Sequence, residues 1–254
     1  MTQSDKYRAF AALHVPGDPV ILFNVWDAGS ARAVAEAGAK AIATGSASVA
    51  GAHGFTDAEG LPIGLALANA ARVVEAVDLP VTIDFEGGYA VDPDGVAASM
   101  GRLAATGAIG CNFEDQIVGG EGLHDIADQA ARIAAARRAV GADFFINART
   151  DLFLREGDLS KHAGLVDAAI ERGKAYAAAG ANGFFVPWLI DEGLIEKIST
   201  ASDLPVNIMM RPGAPDVKTL ARLGVSRVSY GPGPYRMMME KLKEAATAVY
   251  AAAG

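Results

Sequence analysis

Short apolar runs alternate along this chain with longer alanine-rich stretches. Four of these stretches end in a glycine, at Gly38, Gly107, Gly180 and Gly224, and each passes at once into an apolar run. Glycine just past the end of a helix adopts the left-handed conformation that closes it. The pattern therefore predicts helices that each lead into a short buried strand.

Two further apolar runs begin with Leu-Pro-Val, where proline suits the first residue of a strand. In all, the predicted strands lie near residues 19–24, 39–44, 80–84, 108–113, 143–147, 182–186, 205–208 and 226–230. The predicted helices lie near residues 28–38, 62–77, 93–106, 126–140, 161–179, 190–200, 214–223 and 234–252. Eight alternating units favour a closed (β/α)8 barrel of the TIM type over an open doubly wound sheet. We predict a single domain over residues 1–254.

Composition narrows the function classes. The chain has 254 residues, of which 51% are hydrophobic and 20% charged, and these proportions suit one large core. A formal net charge of -8 argues against nucleic acid or anionic membrane as a partner. The single cysteine excludes an internal disulfide and a multi-cysteine metal site. With a charged N-terminus and no long apolar segment, we expect a cytoplasmic protein.

Two predicted strands end in acids. Asp84 and Glu86 are spaced i, i+2, so both carboxylates lie on one side of the strand tip, and Glu114 ends the next strand. Like charges held this close need a cation, although a pair of solvated loop acids is the alternative for Asp84 and Glu86 alone. The second acidic strand end favours a metal site.

In a (β/α)8 barrel the catalytic residues come from the carboxyl ends of the strands, an end called here the mouth. Polar residues are concentrated there: Thr44, Gly45, Ser46, Asp57, Asp84, Glu86, Glu114, Asn147, Arg149 and Asn207. Carboxylates without clustered cysteine or histidine indicate Mg²⁺ or Mn²⁺ and not zinc. Arg149 offers a planar fork that fits a carboxylate or a phosphonate.

No single one of these motifs is specific for a protein family, but their combination is. The sequence resembles the isocitrate lyase and phosphoenolpyruvate mutase superfamily over almost its whole length. The segments that carry the resemblance are residues 24–32, 44–46, 83–89 (the metal motif), 113–115 (Glu-Asp), 147–151 (Asn-Ala-Arg-Thr-Asp) and 230–236. The resemblance implies that Asp84 ligates Mg²⁺ directly, while Glu86, Glu114 and Asp57 hold its waters.

The same resemblance implies how the substrate is held. Arg149 and the backbone amides of Gly45 and Ser46 would grip the 2-oxo-acid end of a small carboxylic acid. Thr44 and Asn207 are further candidates for substrate binding. Asp57 and Arg149 are candidates for catalytic residues.

One departure from the superfamily concerns the acid/base group. The lyases carry a cysteine in the loop after the fourth strand, and residues 116–124 of this chain contain none. Cys111 cannot replace it, because Cys111 lies inside the strand with the parity opposite to Glu114. His124 lies in that loop and is our candidate for a mobile acid/base, although a lone loop histidine is more often solvated.

A second departure concerns the far wall of the pocket. Positions that are often polar or aromatic in the superfamily are here Ile42, Trp188, Met209 and Met210. A further substrate carboxylate buried against such a wall would lack partners. We therefore expect a substrate that is smaller or more apolar beyond its 2-oxo-acid head, and poor cleavage of isocitrate or 2-methylisocitrate.

The sequence thus predicts a Mg²⁺-dependent lyase that cleaves a C–C bond in a small 2-oxo or 2-hydroxy acid through a metal-stabilised enolate. Two alternatives stay open: P–C bond chemistry, as in a phosphonate mutase or hydrolase, and a non-catalytic barrel that binds a metabolite. By the resemblance we also expect a homo-oligomer, a dimer or tetramer, in which the C-terminal helix is exchanged between neighbours.

Overall fold

The structure, a computed structural model, describes residues 1–253 and contains eight parallel strands. The strands are β1 (Val20–Leu22), β2 (Ile42–Ala43), β3 (Val81–Asp84), β4 (Gly110–Glu114), β5 (Phe145–Arg149), β6 (Gly183–Val186), β7 (Val206–Met209) and β8 (Arg227–Ser229). The α-helices are α1 (Gln3–Ala12), α2 (Ala28–Glu36), α3 (Ser46–Ala52), α4 (Ile63–Ala76), α5 (Pro93–Ala104), α6 (Ile126–Val140), α7 (Leu152–Arg155), α8 (Val166–Ala178), α9 (Glu192–Ala201), α10 (Val217–Arg222) and α11 (Gly233–Ala253).

The sheet closes on itself. The hydrogen-bonded strand order is β1-β8-β7-β6-β5-β4-β3-β2, and the chain just beyond β1 joins the chain just beyond β2. Val25 forms a parallel bridge with Thr44, and its amide donates to the carbonyl of Ala43 over 2.9 Å. The fold is a (β/α)8 barrel, and this prediction from the sequence is confirmed.

Most predicted elements occur within a few residues of their expected bounds, but three helices were missed and one strand was misplaced. The missed helices are α1, α3 and α7. Strand β5 begins and ends two residues later than expected, so Arg149 belongs to the strand itself. A 3-10 helix over Leu159–Leu165 occupies the start of the helix predicted from residue 161.

The glycines that mark the helix ends behave as predicted. Gly38, Gly107, Gly180 and Gly224 have φ values of 97°, 89°, 100° and 81°. A side chain would strain the backbone in this left-handed region. The change from each helix to the following strand is therefore encoded locally.

Two apolar cores lie on either side of the barrel wall. The outer core packs the strands against the helices, and it contains Cys111, whose sulfur lies 3.8 Å from the sulfur of Met100 on α5. Ile42 also belongs to the outer core, so its expected place on the pocket wall is wrong. Alternate residues of a strand face opposite sides, and Ile42 follows Ala41, which faces the barrel interior.

The inner core closes the end of the barrel opposite the mouth. Phe10 of α1 packs edge-on against Phe145, with ring centroids 5.2 Å apart. The ring of His14 stacks on Phe145 at 4.3 Å. Helix α1 therefore forms a plug beneath the strands.

Helix α11 is the least covered element. Of its side chains only Pro234 is buried, and Met238, Leu242 and Val249 are 45%, 63% and 64% exposed. These three residues share one face, because their spacings of four and eleven residues return to the same side of a helix. Within residues 1–253 no helix combines the length and apolar character that crossing a bilayer requires.

Candidate active site

A cavity of about 430 Å³ opens at the mouth of the barrel. Its walls include five residues that were predicted for the site: Gly45, Ser46, Asp57, Asp84 and Arg149. We call this the mouth cavity. The far side is lined by Met209, which ends β7, and by Trp188, Met210, Arg211 and Arg236, which come from the segments that follow β6, β7 and β8.

Asp84, at the end of β3, is held from several directions. Its Oδ2 accepts a hydrogen bond from the amide of Ser46 over 3.0 Å, and its Oδ1 accepts one from Nδ2 of Asn112 over 3.2 Å. Its own amide donates to the hydroxyl of Thr44 over 3.0 Å. The carboxylate is therefore oriented by β4 and by the start of α3 before any ligand binds.

Glu86 and Asp57 complete an acidic patch around Asp84. Glu86 is only 4% exposed, has a left-handed backbone with φ of 50°, and accepts a hydrogen bond from the amide of Glu59. Burial, with the negative charges of Asp57 and Asp84, raises the pKa of Glu86 to about 8. Burial of its carboxyl group and the charge of Asp84 also raise the pKa of Asp57.

This acidic patch fits a divalent cation held largely through water. Within the described chain, no three His, Cys, Asp or Glu side chains are gathered closely enough to chelate an ion directly. Mg²⁺ commonly keeps several waters and takes only one or two carboxylates from the protein. Asp84 can supply that direct ligand, and a cation beside it would relieve the charge repulsion that, together with the larger effect of burial, raises the pKa of Glu86.

Arg149 is already engaged by two acids. Its Nε and Nη2 donate to the two carboxylate oxygens of Asp151 over 2.6 and 2.9 Å, and its Nη1 lies 2.8 Å from Oε2 of Glu114. Desolvation lowers the pKa of Arg149, but the charges of Asp151 and Glu114 outweigh it and raise the pKa well above its usual value. Three of the five N–H donors of a guanidinium are used, so two remain for a substrate.

The predicted anion-binding turn is also partly engaged. The amide of Gly45 donates to the carbonyl of Val25 over 3.2 Å, and the amide of Ser46 donates to Asp84. The turn thus connects the chain just beyond β1, where the barrel closes, to the acidic patch. Its role in gripping a substrate stays a prediction.

A polar layer crosses the barrel interior directly below the mouth. Nδ2 of Asn147 donates to Oδ1 of Asn112 over 2.8 Å and lies 3.1 Å from Oδ1 of Asn207. Asn207 is fully buried, so it supports the floor and does not line the mouth cavity. Arg227, which is 1% exposed, donates from Nη2 to Asn112 over 3.1 Å, while its Nε and Nη1 have no partner.

The structure does not bring His124 to the mouth cavity. His124 is buried and lines a separate cavity of about 230 Å³, together with Glu59, Tyr89 and Arg132. Burial and the nearby charge of Arg132 lower its pKa. Its role as an acid/base stays a prediction, and it requires movement of the loop that precedes it.

Sequence reasoning missed two features of the site. Asp151 lies within a segment that was quoted for the resemblance, yet its bidentate pairing with Arg149 depends on the turn after β5. Arg211 follows β7 and lies flat on the indole of Trp188, with its guanidinium carbon 3.6 Å from the ring centroid. An arginine two residues beyond a strand was the available signal for it.

Comparison with known proteins agrees with this geometry. The family model described as phosphoenolpyruvate phosphomutase matches residues 10–250. The chain belongs to this family. It therefore lies within the phosphoenolpyruvate mutase and isocitrate lyase superfamily, as the sequence motifs predicted, and the relatives of this family are lyases and mutases.

Three similar proteins illustrate the range. A candidate phosphonomutase from Burkholderia cenocepacia is 48% identical, with a TM-score of 0.93 over 96% of this chain and 98% of that one. The 2-methylisocitrate lyase of Escherichia coli is 28% identical over 78% of this chain and 68% of its own. A phosphonopyruvate hydrolase, solved with oxalate and Mg²⁺, shares the fold with a TM-score of 0.86 at 22% identity, over 100% of this chain and 89% of that one.

Proposed function

We propose that this protein is a Mg²⁺-dependent lyase that cleaves a C–C bond next to the carbonyl or hydroxyl carbon of a small 2-oxo or 2-hydroxy carboxylic acid. The observation that carries the proposal is the position of Asp84, which lines the mouth cavity together with Asp57 and is oriented by two hydrogen bonds. The buried carboxyl groups of Glu86 and Glu114 lie near enough to interact electrostatically with it. The E. coli relative that is a 2-methylisocitrate lyase supports the same reaction class.

We assign the ligand roles that the resemblance to the superfamily implies. Asp84 would bind the ion directly, while Glu86, Glu114 and Asp57 would accept hydrogen bonds from its waters. A bound Mg²⁺ would supply the positive charge that stabilises an enolate formed by bond cleavage. Protein residues fix where that charge sits, because Ser46 and Asn112 set the orientation of Asp84.

Arg149 would hold the carboxylate of the 2-oxo-acid head with its two remaining N–H donors. Asp151 and Glu114 fix the plane of its guanidinium, so the donors are presented without loss of side-chain entropy. Thr44, Gly45 and Ser46 would border the same head group from the start of α3. His124 would reach the substrate only when the loop over residues 116–123 closes.

P–C bond chemistry on a phosphonate is the second candidate. The similarity to the Burkholderia protein described as a candidate phosphonomutase, at 48% identity, favours it. The two candidates share the metal site and the 2-oxo-acid head, and they differ in the group that leaves. Parallel assays with phosphonopyruvate and with 2-oxo and 2-hydroxy dicarboxylic acids separate them.

We also propose that the chain assembles as a homo-oligomer by exchange of α11. A groove of about 930 Å³ lies over the outer side of β1 and α2, where Ile21 and Phe23 are 39% and 38% exposed. Met238 of α11 borders this groove, while Leu242 and Val249, farther along the same apolar face of the helix, are 63% and 64% exposed. We assign the groove to α11 of a second copy, because the two apolar surfaces match in character.

The metal site is tested by calorimetry with oxalate, a stable two-carbon diacid. We expect oxalate to bind in the presence of Mg²⁺ and not in EDTA. Turnover is then sought by screening oxaloacetate, 2-methylisocitrate, 4-hydroxy-2-oxo acids and phosphonopyruvate with saturating Mg²⁺. Mg²⁺-dependent cleavage of a carbon substrate supports the lyase, and turnover of phosphonopyruvate alone, to pyruvate or to phosphoenolpyruvate, contradicts it.

A further inference from the structure

We propose that Arg211 determines specificity for the end of the substrate remote from the metal, and that this end carries a carboxylate. The inference rests on the proposed function, since it takes the metal end of the substrate as given. The expectation of an apolar far wall was based on Trp188, Met209 and Met210 and left out the arginine that follows them. The inference about Arg211 replaces that expectation.

The first step is the fixed geometry of Arg211. Its guanidinium carbon lies 3.6 Å from the centroid of a Trp188 ring, so the cation is stacked on the indole. Stacking covers one face of the guanidinium and leaves the N–H groups at its edge. The backbone of Trp188 is left-handed, with φ of 71°, which is unusual for a bulky residue. The surrounding loop therefore holds Trp188 in a strained backbone conformation.

The second step is the unmet hydrogen-bonding capacity of this cation. Nη1 of Arg211 is buried and has no hydrogen-bond partner within the described residues. A buried donor that is left unpaired costs free energy, and a ligand that accepts from it recovers that cost. Arg211 lines the mouth cavity, so an anion bound there pairs with Nη1 when the guanidinium turns within its plane and brings that donor to the cavity.

The third step is the distribution of charge around the cavity. Arg149 is neutralised by Asp151 and Glu114, whereas Arg211 has no ion-pair partner in the part of the chain that the structure describes. Arg236 also borders the cavity without such a partner, but it is exposed on α11. Arg211 is therefore the partly buried cation that is available to an anion.

The fourth step is position across the barrel. Asp84 ends β3 and Arg211 follows β7, and these two strands lie four places apart in an eight-stranded barrel. They therefore face each other across the mouth. Trp188, Met209 and Met210 line the far wall beside Arg211. The matching ligand has a 2-oxo-acid head, an apolar middle and a terminal carboxylate.

The test compares pairs of stable 2-oxo acids by calorimetry with saturating Mg²⁺. One pair is 2-oxoglutarate with 2-oxopentanoate, and the second is 2-oxoadipate with 2-oxohexanoate. Each pair has the same chain length and differs in the terminal carboxylate. In the wild type we expect at least one dicarboxylate to bind about tenfold or more tightly than its partner. Oxalate, which is too short to span the mouth, reports on the metal end alone.

Arg211→Gln should abolish the dicarboxylate advantage and leave oxalate affinity unchanged, which also shows that the variant is folded. Arg211→Lys keeps the charge without the planar fork, and it should retain only part of the advantage. Arg222→Gln, the same change at an exposed arginine of α10, should behave as the wild type.

Equal affinities within both pairs in the wild type would overturn the proposal, and so would an advantage that persists in Arg211→Gln. Failure of oxalate to bind in the wild type would refute the proposed metal site. Normal oxalate binding without a dicarboxylate advantage would refute only the role of Arg211. The two proposals therefore fail in distinguishable ways.

Discussion

Arg149 and Asp151 form a bidentate ion pair, with Nε–Oδ1 and Nη2–Oδ2 distances of 2.6 and 2.9 Å, at the carboxyl end of β5. Asp151 is fully buried, and its backbone amide donates to Oδ1 of Asp115 over 2.9 Å. Tyr176 and Arg172 donate to the other oxygen of Asp115. The cation at the mouth is thus fixed by a chain of contacts that extends behind the strands to α8.

This pairing makes Arg149→Lys a non-conservative change. A lysine has a point charge and cannot satisfy both oxygens of Asp151 while reaching Glu114. We expect oxalate affinity with Mg²⁺ to fall by about 1.5–3 kcal/mol, the range for hydrogen bonds to charged groups. Calorimetry measures this loss, with Arg222→Lys as the surface control. Unchanged affinity would show that Arg149 does not bind the carboxylate.

Asp84→Asn should weaken Mg²⁺-dependent binding of oxalate by at least about tenfold, because the direct ligand loses its charge. The amide keeps a similar shape, so the fold should remain intact. Asp203→Asn removes the same charge at an exposed position before β7, away from the mouth, and serves as the control. Wild-type oxalate affinity in Asp84→Asn would assign the metal to other residues.

His14 should make the protein less stable as the pH falls. Burial, with the charge of Arg227, lowers the pKa of His14 to about 3, whereas the value in the unfolded chain is 6.5. The unfolded state therefore binds a proton that the folded state excludes, so stability is complete above pH 6.5 and falls between pH 6.5 and about 3. The loss by pH 5 is about 2 kcal/mol from this group.

Urea unfolding at pH 7.5 and pH 5 measures that loss. His14→Phe keeps an aromatic ring between Phe10 and Phe145 and cannot take up a proton, so its stability should fall less over the same interval. An identical pH dependence in the wild type and His14→Phe would exclude His14 as the source.

Arg227→Met should leave the free energy of unfolding unchanged or raise it by about 1–2 kcal/mol, because a buried charge without an acidic partner is costly. Desolvation lowers the pKa of Arg227 to about 9, which reflects that cost. Oδ1 of Asn112 would still accept a hydrogen bond from Asn147. Urea unfolding near neutral pH measures the change. A loss of more than about 2 kcal/mol would show that the interactions of Arg227 compensate for the cost of burying its charge.

Leu242→Glu should reduce the mass of the assembly in solution, because it places a charge in the centre of the apolar face of α11. Light scattering coupled to size-exclusion chromatography measures the mass. Lys243→Glu, on the neighbouring exposed position, is the control. An unchanged mass for Leu242→Glu would show that α11 is not part of the interface between subunits.

The sequence determined the barrel and the location of its acids. Helix and strand periodicity and the glycines at helix ends are local signals, so eight alternating units could be read without knowing which residues touch. Once the units were ordered, the rule that strand ends meet at one edge placed Asp84, Glu86, Glu114 and Arg149 together. The bounds of the helices and strands were predicted less accurately. For example, the ends of β5 depend on its pairing with neighbouring strands, which the sequence pattern does not show.

Only the tertiary structure decided which polar groups are already paired. Arg149 was expected to be free for a substrate, but the turn after β5 brings Asp151 against it. His14 stacks on Phe145, which is 131 positions away along the chain, and no local sequence pattern indicates this contact. Such contacts depend on packing between elements that are remote in sequence, and hydrophobic periodicity carries no information about that packing. The stack of Arg211 on Trp188, which joins the ends of two strands, was fixed by the same long-range packing.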